Sequence, residues 1–311
     1  MMQRRYATGS SDARCSRTTG DRPIRVSRNR AQTQVTQLVQ RQFRIEPAGS
    51  WQGLHLAELW RFRELLFFFV WRDIKVRYKQ TVLGTLWAII QPLAGTALFT
   101  LFFGKLGGLS KQVDGSYSLF VYVGLSLWTF YANAVSLAAN SLVGSSHLIA
   151  KVYFPRLLIP FSAIFSGLVD FAVAFGFLLV LLVINRIPPS PVMLTMPLFL
   201  VGTVAVAAGV GVLFSALIVS YRDFRYVITF VVQLWLFATP VLYSIDIIPA
   251  KWRLLYASNP MVGMISGFRA AALGGPLPMD VILTSTVVTV LLLAIGLRYF
   301  TSVERRFADV I

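Results

Sequence analysis

The sequence predicts an all-α integral membrane protein: an amphipathic interfacial helix, six transmembrane helices, and a re-entrant helical hairpin between the fifth and sixth. Three observations predict it. Of 311 residues, 56% are hydrophobic and only 14% are charged, where a soluble domain carries about 25%. The apolar residues gather in runs that meet the roughly 20-residue length needed to cross a hydrocarbon core about 30 Å thick. Lys and Arg lie at one end and in short links between those runs, the distribution that orients a multi-pass chain.

That distribution accounts for the net charge of +16 without a nucleic-acid partner, which would call for a basic face on a folded domain. Cys15 is the single cysteine, so an internal disulfide and a multi-cysteine metal site are excluded. His55 and His147 are the two histidines, and they lack ligand-like spacing. No metal is expected.

Residues 1–50 are rich in Arg, Ser, Thr and Gln with no apolar period, which predicts a disordered, basic cytoplasmic tail. Its scarcity of acidic residues also fits a transit peptide, and an over-extended start is a further reading. Over 54–80, Trp60, Phe67, Trp71, Ile74 and Tyr78 recur at helical intervals. Arg61, Arg72, Asp73, Lys75 and Lys79 lie off that stripe, while Glu64 and the apolar turn 66–70 interrupt the pattern. Aromatic and basic faces suit a helix lying in the membrane interface. A cytosolic packing helix is the alternative.

Six spans follow, at about 82–103, 118–140, 158–184, 192–219, 226–243 and 280–300, with 301–311 as a C-terminal extension. Pro92, Pro160 and Pro197 fall within spans or near their ends, where neighbouring helices satisfy the freed carbonyls. Six spans place both termini on one side. Sixteen of the 29 Lys and Arg precede residue 82, and 23 fall in the segments assigned to that side against six on the other. Both termini are therefore expected in the cytoplasm. Segment 244–279 is too polar to span and too apolar to float free. It predicts two short helices broken at Asn259-Pro260, dipping back from the outer face as backbone buried in protein.

Several strings in this order resemble one family. RDIKVRYKQTVLGTLWAIIQP (72–92), LIAKVYFPRLLIP (148–160), SGLVDF (166–171) and YRDFRY (221–226) are followed by QLWLFATPVLY (233–243), NPMVG…GFR (259–269) and FADVI (307–311). Together they are similar to the transmembrane permease subunit of bacterial ABC-2-type polysaccharide exporters, which move O-antigen, capsule or teichoic-acid polymers on lipid carriers. The chain departs from the family pattern at Ser244-Ile245, where a proline is usual, and at Ser266, where Glu is frequent. The resemblance implies a homodimer of this subunit in the bacterial cytoplasmic (inner) membrane, two copies of a separate ABC ATP-binding subunit, and a lipid-linked polysaccharide substrate. It places ATP and Mg on that partner. Independently, no G-x-x-x-x-G-K-[ST] phosphate cradle occurs in the chain, so no nucleotide hydrolysis by it is expected.

The resemblance also assigns roles. Lys151, Tyr153, Phe154, Pro155 and Arg156 fall where the family has its coupling helix, and aromatic and Arg residues are common interface anchors; simple anchoring at the membrane surface is the plainer reading. Arg222 and Asp223, in the next link on that side, read either as a further ATPase contact or as orienting charge. Trp60, Trp71, Arg72, Lys75 and Arg77 belong to the interfacial or gate helix. Trp252, Asn259, Pro260 and Arg269 belong to the outer gate segment. Asp170, the one acidic residue well inside a predicted span, reads as a packing or channel residue or as a proton carrier. Trp128 and Trp235 are channel or packing candidates. Export of a drug or simple lipid, and proton-coupled secondary transport, are the alternative functions.

Overall fold

A computed structural model of the chain describes residues 61–79, 84–112, 115–149, 151, 154–304 and 307. The expected tail, Trp60, Tyr153 and residues 308–311 lie outside them. Among the described residues every regular element is helical, with no strand.

Helix α1 (Arg63–Tyr78) carries Glu64 in its first turn and Lys75 and Arg77 in its last, charges that suit the macrodipole at each end. Its apolar residues are not gathered on one stripe: Phe69 is buried, whereas Phe67, Phe68 and Trp71 are exposed. The first membrane-length helix, Gly84–Leu106, contains α2 (Trp87–Phe99) and ends in a π-helical turn over Thr100–Leu106. Pro92 sits inside α2. Helix α3 (Tyr117–Gly144) is followed by the single turn α4 (Ser146–Ile149), then α5 (Leu158–Ile184) and α6 (Met196–Ser220). Pro197 lies in the first turn of α6, where the missing N–H costs no hydrogen bond. Next come α7 (Phe224–Phe237), the short α8 (Ala250–Tyr256), α9 (Pro260–Leu273) and α10 (Met279–Val303).

Among the described residues, five helices are long and apolar enough to cross a membrane, and they match the first four and the last of the expected spans. The expected fifth, 226–243, differs. Helix α7 has 14 residues, a rise of about 21 Å, short of the roughly 30 Å core. Pro240 is the physical reason: it offers no N–H and disfavours helix in the residue before it. The apolar run continues to Tyr243 but the helix does not.

Helix α3 is the central element, packed on α5 and α6. Close approach rests on small residues, as between membrane helices generally. A Cβ at Gly211 would lie 2.7 Å from Ala138 Cβ, and one at Gly296 would lie 2.3 Å from the Gly209 carbonyl oxygen. Those contacts seat α6 against α3 and α10 against α6. Helix α9 is buried along nearly its whole length among α3, α6 and α10. Its ends follow its sequence: the Asn259 side chain caps the start, Pro260 opens the first turn, and Gly274 closes the end at φ 76°, a left-handed conformation natural to glycine.

Candidate functional site

Three clusters hold the singled-out residues. The first joins α1 to α5. Arg77 donates to Asp170 at 2.5 Å and to Ser166 Oγ at 3.2 Å, while Tyr78 donates its hydroxyl to the other oxygen of Asp170. One turn earlier, Ser162 Oγ donates to Asp73 at 3.1 Å, and Asp73 also pairs with Arg72 at 2.8 Å. Earlier still, the Phe69 ring meets Phe154 edge-on at 5.3 Å. These contacts advance together along both helices, so α1 runs beside the first half of α5 in the same direction. Burial and the Asp170 hydrogen bond push the Tyr78 hydroxyl up to about 12, further from ionisation than a free phenol, which is itself a donor at neutral pH. Asp170 is thus engaged by a cation and a phenol, the pairing that an intramembrane carboxylate requires. A cavity of about 340 Å³ adjoins it, lined also by Gln91 of α2 and Thr129 and Asn133 of α3. Trp71 stays exposed, with the Lys75 ammonium 5.3 Å from its ring.

The second cluster surrounds the break after α7. Four carbonyls near the helix end are met by side chains from elsewhere. Asn259 Nδ2 donates to Ala238 at 2.9 Å, Arg269 donates to Pro240 and Val241 at 2.8 Å each, and Tyr117 donates to Leu242 at 2.8 Å. Asn259 Oδ1 in turn accepts from Trp235 Nε1 at 2.9 Å and from the Met261 amide. Trp235, Tyr131 and Trp128 form a chain of aromatic contacts with centroids 5.7 and 5.3 Å apart. Buried Arg269 lies 3.7 Å above the Phe120 ring. The structure therefore brings Trp128, Trp235, Asn259 and Arg269 around one broken segment. Trp252, on α8, stands apart and exposed beside Lys251.

The third cluster lies at the end of the bundle where α3, α6 and α10 finish and α5 and α7 begin. Lys151 is exposed, and Pro155 accepts the Leu158 amide at 3.1 Å. Phe154 is buried, and Arg156 turns to the chain's own C-terminal region, donating to the Glu304 carbonyl. Arg222 and Asp223 are exposed and line a groove of about 530 Å³ with Val143, Ser146, Ile218 and Tyr226. That groove places the α6–α7 link against the end of α3. The sequence reading missed Tyr78, Ser162, Tyr117 and Glu304. Only Tyr78 carried a signal, since it lies on the helical stripe beside Arg77; the others are ordinary residues given meaning by distant partners.

Residues 64–273 match the family model described as ABC-2 type transporter. An O-antigen export system permease protein RfbA of Klebsiella pneumoniae is 29% identical over 242 residues, covering 77% of this chain and 92% of the relative. The RfbA of Myxococcus xanthus is 28% identical over 257 residues, 82% of this chain and 98% of the relative. The inner membrane transport permease YadH of Escherichia coli K12 is 28% identical over 228 residues, 70% and 87% of the two chains. With a family model matching about two thirds of its length, this multi-pass chain belongs to the ABC-2 type transporter family.

Proposed function

We propose that the chain is the permease subunit of an ATP-driven exporter of lipid-linked polysaccharide in a bacterial cytoplasmic membrane. The observation that carries the reading is the similarity to two relatives named for O-antigen export along more than nine-tenths of their own lengths. Two copies of the permease would form the path, and two copies of a separate ATP-binding subunit would supply ATP and Mg²⁺ chemistry. The missing phosphate cradle agrees with that division of labour. Exposed apolar side chains on the first membrane-length helix (Trp87 and Leu98 of α2, Phe102 of the π-helical turn) and on α7 (Tyr226, Phe230, Leu234) supply faces for lipid or for a second copy.

In this reading both termini are cytoplasmic. Lys151, Arg222 and Asp223 face the ATPase, Tyr153 keeps the coupling role that the family resemblance gives it, and Phe154, Pro155 and Arg156 shape the link. Trp71, Arg72, Lys75 and Arg77 belong to an interfacial helix tied to the membrane domain through Asp170. Segment 244–279 is a re-entrant hairpin: α7 stops within the membrane, and α9 returns toward the outer face. Trp252, Asn259, Pro260 and Arg269 belong to that outer gate. Nucleotide closure of the partner would push on the links and alter the path between the two permeases. Proton coupling is disfavoured because Asp170 already holds Arg77 and Tyr78.

The test is reconstitution of the permease with its ATPase in proteoliposomes loaded with lipid-linked polymer. Polymer should cross the membrane only with hydrolysable ATP. Transport that follows an imposed proton gradient without nucleotide would overturn the reading.

A further inference from the structure

We infer that Arg156 and Glu304 form a clasp that makes α10 the element driven by the α4–α5 link, so that both are positioning residues and not contacts of the ATPase. The inference rests on the coupling role proposed above for that link. Its basis is a two-point contact between residues 148 positions apart, with Arg156 the donor in both hydrogen bonds. The Arg156 amide donates to Glu304 Oε1 at 3.3 Å, and its guanidinium donates to the Glu304 carbonyl. The same guanidinium lies 6.0 Å from the ring of Phe307, which is fully buried and meets Phe300 of α10 edge-on at 5.4 Å. Glu304 is the C-cap of α10. A cation there satisfies a helix-end carbonyl and lies at the negative pole of the helix dipole.

The far half of α10 supplies the second observation. Ser285, fully buried, donates to the Ala257 carbonyl at 2.9 Å and accepts the Gly263 amide at 3.0 Å. A Cβ at Gly263 would lie 2.5 Å from Ser285 Cβ, so α10 and the start of α9 touch there without slack. From Ser285 to Glu304 a helix rises about 29 Å. Asn259, two residues past Ala257, is the residue that holds Trp235 and the end of α7. One continuous helix therefore ties the link at one end to the broken segment at the other, a contiguous path of packed contacts.

The test uses the complete permease–ATPase complex in proteoliposomes and substitutions that remove each hydrogen bond separately. Arg156→Met, which removes the donor to the Glu304 carbonyl, and Glu304→Leu, which removes the acceptor of the Arg156 amide, should each leave the ATPase bound and hydrolysing. Each should lower polymer exported per ATP hydrolysed by about tenfold, within the range of coupling between residues in contact. The double variant Arg156→Met/Glu304→Leu should lose less than the product of the two single losses, and Glu304→Gln, which keeps the acceptor, should retain most of the ratio. The clasp is overturned if Glu304→Leu exports per ATP as the parent does, or if the two losses simply multiply in the double variant. Release of the ATPase by Arg156→Met would instead make Arg156 a direct partner contact. Absence of any ATPase with the unmodified permease would count against the proposed function alone. The clasp is then read from the parent, Arg156→Met, Glu304→Leu and their double variant in detergent, where non-additive shifts in unfolding temperature support it and additive shifts refute it.

Discussion

A carboxylate inside an apolar helix is tolerable only with partners, and Asp170 has two, 92 and 93 residues earlier in sequence. The acid itself was legible in the sequence, standing alone in its span. Its cation was not, because nothing local says that Arg77, and not Arg72 or Lys75, reaches it. The arrangement predicts an asymmetric response to substitution. Asp170→Asn keeps acceptor and shape, so most transport should survive. Asp170→Leu strands the Arg77 cation and should destabilise the permease by about 1–3 kcal/mol, read as a lower unfolding temperature in detergent. Adding Arg77→Met to Asp170→Leu should recover part of that loss, since the matched apolar pair no longer strands a cation. A double variant less stable than Asp170→Leu alone would show that Arg77 contributes through other contacts.

At the scale of elements, the long apolar runs told where helices cross, and five of them do so with ends near those expected. Hydropathy could not tell where α7 stops, because the residues beyond it are as apolar as those within it. Pro240 was the available signal, and its meaning depends on Arg269, Asn259 and Tyr117 arriving to take the freed carbonyls. The sequence likewise did not disclose that α1 lies along α5, since exposed aromatics and basic residues suit interface and packing equally. Helix contacts make their own prediction. Gly296→Ala would press its methyl to 2.3 Å from a backbone oxygen of α6, whereas Gly202→Ala meets the flexible end of Met264 at the same distance. The first should cost about 1–3 kcal/mol, as overpacking does when neither side can yield, and the second clearly less. Thermal unfolding of the two variants side by side checks the ordering, and equal losses would mean that α6 and α10 can separate freely.

Across the whole molecule, charge, links and helix ends converge on one end of the bundle, where the ends of α3 and α6 and the α6–α7 link share a groove and α10 meets the α4–α5 link. The orientation expected from basic residues puts that end in the cytoplasm. Among the described residues, Lys151, Arg222 and Arg225 are exposed at that end and available to meet an ATPase. Lys151→Glu and Arg222→Glu reverse charge without touching a buried contact, so both proteins should reach the membrane in normal amount. Like-charge juxtaposition at a partner can cost several kcal/mol, enough to lose the ATPase during affinity purification of the permease. Lys111→Glu is the matched control. Lys111 is exposed in the turn between α2 and α3, at the opposite end of those helices, and its reversal should leave the ATPase bound. The ratio of ATPase to permease recovered from each variant decides the matter. Loss with Lys111→Glu alone would invert the orientation, and full recovery with all three would move the docking surface away from these links.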